Sequence, residues 1–98
     1  MSDSADVIDN TDASRFELRA DGRLAELVYR IRGDRLVLLH TGVPLELEGR
    51  GIAGRLVTAA VDRADREGLT LVPLCPFARD WLERHPEAAS RAVIDWDS

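Results

Sequence analysis

The chain has 98 residues and a mass of 10.9 kDa, 45% of the residues being hydrophobic and 32% charged. That suits one domain with one modest core, burying about 60–65% of the unfolded surface. Its net charge of −5 excludes a basic duplex-binding stripe, and its 13 basic residues are all arginine, which excludes chemistry that needs a lysine, such as a Schiff base.

Asp3, Asp6, Asp9 and Asp12 make the first segment acidic, and it holds few large apolar groups. Residues 1–14 are therefore predicted to be a disordered acidic tail, with the folded domain over residues 15–98. The acidic start does not resemble an export signal. The longest apolar stretch, Leu71–Ala78, is interrupted by Pro73 and Pro76 and is far short of the roughly 20 residues of a membrane span. Cys75 is the single cysteine, so no intrachain disulfide can form, and the expectation is a reducing, cytoplasmic setting.

Phe16, Leu18 and Ala20 alternate with charged residues, as in a half-buried strand. Asp21-Gly22 reads as a hairpin turn, and a second alternating strand runs through Ala25, Leu27, Tyr29 and Ile31. Gly33-Asp34 turns again. Leu36–Leu39 is apolar on both faces and predicts a central strand covered on both sides. Residues 15–41 thus form an antiparallel meander.

The period then changes. Ile52, Ala53, Leu56, Val57, Ala60, Val61 and Ala64 follow a 3.6-residue spacing, with Asp62 and Arg66 paired on the outer face and Gly68 as terminator. A strand over 69–74 follows, then a short helix marked by Phe77, Ala78, Trp81 and Leu82, and a last helical turn opened by Pro86.

Strand 34–41, helix 52–67 and strand 69–74 make a strand–helix–strand unit, which is right-handed and parallel almost without exception. Ligands in such sheets bind beyond the carboxyl ends of the strands. Three features meet there: His40, the loop Gly49-Arg50-Gly51-Ile52-Ala53-Gly54, and Cys75. Glycines and a helix N-terminus together suit a phosphate group. The loop does not fit a dinucleotide fingerprint, because Gly42–Glu48 separates it from the strand and no acid follows at the required distance. His40, Cys75 and His85 lack zinc-ligand spacing, so no metal is expected.

On these residues the chain resembles the GNAT acyltransferase family. The family motif (Gln/Arg)-x-x-Gly-x-(Gly/Ala) corresponds to Glu48–Ala53, with Glu in the first position. It is similar in particular to small single-domain members marked by Cys75-Pro76-Phe77, Trp81 and Arg84-His85-Pro86-Glu87. The resemblance covers about residues 15–90. It implies an α+β (α/β) minimal GNAT fold, the meander leading into the parallel unit around a splayed coenzyme A cleft. It implies acetyl-coenzyme A as co-substrate on Gly49, Arg50, Gly51, Ile52, Ala53, Gly54 and Arg55, with Cys75 and His40 as the catalytic pair. The expected partners are coenzyme A and an amine acceptor, without nucleic acid, membrane or metal, the chain being a monomer or weak dimer. The chain lacks the elements that shape the acceptor site in longer members. A coenzyme A-binding sensor or interaction module with little turnover is therefore the alternative. Transfer could be direct, with His40, Glu46 or Glu48 as base, or could pass through an acetylated Cys75.

Overall fold

The structure, a computed structural model, describes residues 6–97. Its strands are β1 (Ile8–Asn10), β2 (Arg15–Ala20), β3 (Arg23–Arg32), β4 (Arg35–Gly42), β5 (Thr70–Pro73) and β6 (Val93–Ile94). Its helices are α1 (Ile52–Glu67), α2 (Pro76–Arg84) and α3 (Pro86–Ala89), with a 3-10 turn at Leu45–Leu47. All six strands form one sheet in chain order. β1 to β4 pair antiparallel, and β4, β5 and β6 pair parallel. The meander and the parallel unit are thus as the sequence predicts.

Period-two patterning sets the core face. Phe16, Leu18, Ala25, Leu27, Tyr29, Leu36, Leu38 and Leu71 form one buried cluster with every buried residue of the three helices. Val37 and Val72, in register with each other on the neighbouring strands, are buried outside that cluster, on the other face. β4 is therefore buried on both faces, as its apolar run predicts, while the helices pack against one of them. Successive right-handed crossovers that advance in one direction place their helices on the same side.

α1 ends where expected. Gly68 adopts a left-handed φ of 69°, and the N–H groups of Gly68 and Leu69 close on the Ala64 carbonyl. Asp62 does not pair with Arg66. It accepts from Arg91, which the chain returning after α3 brings alongside α1.

The acidic N-terminus is not a tail throughout. Ile8–Asn10 pairs with β2, and Val7 packs against the core. The cause is a long-range anchor. The Asp9 carboxylate accepts from the Tyr29 hydroxyl at 2.5 Å and from Arg63 Nη1 at 2.9 Å, and Arg63 also donates to the Tyr29 oxygen at 2.9 Å. Next to it, Asn10 and Arg15 hold the buried Glu17, and their hydrogen bonds, Arg15 first, keep its carboxyl below the usual range. Residues 1–5 of the predicted tail lie outside the described residues.

Candidate active site

Parallel pairing between β4 and β5 ends at Leu38 and Pro73. Proline has no N–H to continue the ladder. The Leu38 carbonyl instead accepts from the N–H groups of Leu74 at 3.1 Å and Cys75 at 2.9 Å. β4 runs on to Gly42 paired with β3 alone. The two parallel strands so part beyond Leu38, and a cavity of about 840 Å³ opens beside the end of β4 and the start of α1. Thr41, Gly42 and Val43, the first two turns of α1, and Phe77 and Trp81 of α2 line it.

The glycine loop is built for an anion. Leu47, fully buried, fixes the turn before it. Gly49 and Gly51 take φ values of 83° and 74°, with an ordinary negative φ at Arg50 between them. Such alternation makes successive N–H groups converge. Gly51 is the N-cap of α1, which has no side-chain cap and no acid in its first turn. The first-turn amides of Ile52, Ala53 and Gly54 thus keep their N–H groups and the positive end of the helix dipole for a ligand.

Of the seven residues predicted to hold coenzyme A, Gly49, Gly51, Ile52, Ala53, Gly54 and Arg55 line this cavity. Arg50 does not. Its guanidinium turns outward to Asp21 in the β2–β3 turn, at 2.8 Å, tying the glycine loop to the hairpin. Gly54 has a second duty. A Cβ there would stand 2.6 Å from Trp81 Nε1, so the missing side chain lets α2 approach α1. Trp81 is itself stacked on His85 with centroids 4.0 Å apart, and His85 Nδ1 donates to the Trp81 carbonyl at 2.7 Å, closing the end of α2. Gly54→Ala should gain about 1 kcal/mol of helix propensity and lose about 1–3 kcal/mol to overpacking. We expect a net fall in melting temperature of several degrees, with Trp81 fluorescence shifted; a more stable variant would show that Trp81 is not wedged against α1.

His40 and Cys75 are not brought together. The β3–β4 ladder slips between Val28 and Tyr29: Tyr29 faces Leu38, Val28 faces His40, and Leu39 is the extra residue. A bulge of this kind reverses the alternation beyond it. His40 therefore shares the outer face with Val28 and is exposed, its Nε2 lying 3.4 Å from where a Cβ on Gly42 would sit. Thr41, opposite the buried Leu27, takes the inner face. Its Oγ1 lies 3.2 Å from Cys75 Sγ. Cys75 is 3% exposed, belongs to the core cluster and is not part of the cavity lining. Sequence reasoning missed Thr41, Thr58 and Phe77 in the lining; only the bulge decides the first of these.

Glu48 and Arg55 are the titratable side chains of the lining. Glu46 points instead to Arg23, at 3.5 Å. Among the described residues no cluster of His, Cys, Asp and Glu could hold a metal ion, and no helix is long and apolar enough to cross a membrane.

Comparison with known proteins agrees with this architecture. The chain is 36% identical over 75 residues to the proteins named NATD1 of Mus musculus and Gallus gallus, which spans 74% of this chain and 68% of theirs. The family described as GCN5-related N-acetyl-transferase matches residues 15–91, from the first strand of the meander to the turn before β6. With a match over that length, and with a mixed sheet whose parallel strands part beside a glycine-capped helix, the chain belongs to the GCN5-related N-acetyltransferase (GNAT) family.

Proposed function

We propose that the protein transfers an acetyl group from acetyl-coenzyme A to an amine. The carrying observation is the uncapped N-terminus of α1 opening onto the 840 Å³ cleft. On this reading the pyrophosphate rests on the amides from Gly49 to Gly54. The pantetheine arm runs past the end of β4, where the apolar walls of the cleft include Val43, Leu47 and Phe77. A bound thioester is held close to its acceptor, which removes much of the entropy cost of the reaction. Glu48 at the cleft is the base that takes the amine proton through water. The buried position of Cys75 behind Thr41 favours direct transfer over an acetyl-cysteine.

A coenzyme A-binding module with little turnover is the second reading. It is favoured by His40 standing on the outer face, which leaves the lining with Glu48 as its one candidate base. Calorimetric titration with acetyl-coenzyme A, followed by transfer assays on a panel of amines and peptides, separates the two. We expect binding and transfer, and intact mass after incubation with acetyl-coenzyme A should show no thioester on Cys75. Binding without transfer would establish the module; absence of binding would refute both.

A further inference from the structure

We propose that Thr41 is the proton donor to the departing coenzyme A sulfur, and that the buried thiol of Cys75 positions and recharges it. This rests on the cleft being an acetyl-coenzyme A site. Acyl transfer from a thioester must release a thiolate, and a hydroxyl beside the sulfur lowers the barrier to that release. Two hydroxyls line the cleft, those of Thr41 and Thr58. Thr58 Oγ1 donates to the Gly54 carbonyl at 2.8 Å, so its proton is committed to the helix. The one tyrosine, Tyr29, is locked to Asp9 and Arg63 and lies outside the lining. Thr41 alone remains.

Its partner is a thiol rather than a carbonyl. Cys75 Sγ meets Thr41 Oγ1 at 3.2 Å and does not cap α2, although Cys75 is that helix's N-cap residue. When the thiol donates to Oγ1, the threonine proton is free for the cleft.

The step balances as follows. The amine nitrogen attacks the thioester carbon, the C–N bond forms and the C–S bond breaks, and the electron pair leaves on sulfur. The Thr41 proton passes to that sulfur while the Cys75 proton passes to Thr41 Oγ1, so the hydroxyl carries no charge. Cys75 is left as a thiolate. The surplus proton of the amine goes through water to Glu48, and a proton returns from water in the cleft to Cys75 through Thr41 Oγ1 before the next turnover.

The test uses thiol release from acetyl-coenzyme A with hydroxylamine, an amine small enough to reach the thioester whatever the acceptor site, corrected for the rate in buffer. Calorimetry with coenzyme A runs beside it. Thr41→Val should lower kcat about 100-fold with coenzyme A affinity within about twofold, and Thr41→Ser should restore most of the rate. Cys75→Ala should cost roughly tenfold in kcat, the scale of one lost hydrogen bond. The double variant should be no slower than Thr41→Val, because Cys75 acts through Thr41. Wild-type kcat in Thr41→Val, failure of serine to rescue, or losses that multiply in the double variant would overturn the relay. So would a wild-type protein that binds coenzyme A without accelerating thiol release. A wild-type protein that does not bind coenzyme A would instead refute the proposed function.

Discussion

Gly51→Val should remove most of the affinity for coenzyme A while leaving a folded protein. Gly51 lines the cleft at the N-cap of α1, and a Cβ added there meets nothing within 4 Å. The valine methyl groups therefore fall in open space beside the amide cradle. A ligand oxygen that cannot approach those amides forfeits charge-assisted hydrogen bonds worth about 1.5–3 kcal/mol each, or roughly 10–100-fold in affinity. The fold also bears a cost. The φ of 74° is one that a β-branched residue rarely adopts, and holding it there costs about 1–3 kcal/mol. Gly51→Asn separates the two effects, since asparagine tolerates the left-handed region yet still fills the cradle. Both variants should bind weakly, and Gly51→Asn should melt closer to wild type. A folded Gly51→Val protein that binds coenzyme A normally would show that the loop is only a helix cap.

Asp9→Ala should lower stability by about 2 kcal/mol, or roughly 8–16 °C in melting temperature for a domain of this size. Asp9 joins β1 to β3 and α1 through Tyr29 and Arg63. Its removal leaves the Arg63 guanidinium, 14% exposed, and the Tyr29 hydroxyl with one partner fewer. Unpaired buried groups bear the full cost of lost hydration. The figure is held at the lower end of the range for buried pairs because the Asp9 side chain is 25% exposed and Arg63 also reaches Glu67. Burial, and then the hydrogen bond to Asp9, push the Tyr29 phenol up to about 12. A raised pKa stabilises the fold fully below the unfolded value of about 10, and that contribution is lost as pH climbs from there towards 12. Ultraviolet titration of the phenolate should find a lower midpoint in Asp9→Ala than in wild type. Deleting residues 1–10 should destabilise by at least as much. Unchanged melting in either variant would return the whole N-terminus to the role of a tail.

Much of the fold follows from local rules. Alternation in Phe16–Ala20 and Ala25–Ile31, the Asp21-Gly22 turn, the helical spacing from Ile52 to Ala64 and the stop at Gly68 each reflect interactions within a few residues, and so can be read from the chain. The glycine loop was legible for the same reason: positive φ and an open helix end are backbone properties tied to residue type. Three features were decided only by the tertiary structure. Asp9 became part of the sheet because Tyr29 and Arg63, distant in sequence, compensate its charge. Arg50 left the cleft because Asp21 stands beside the loop in space. Above all, the faces of His40 and Thr41 were set by one extra residue in β4. Period-two counting carries His40 inward after Leu36 and Leu38, but the slip at Leu39 turns it out and brings Thr41 onto Cys75. A bulge arises from how two strands fit together under twist, and neither strand's own sequence records it.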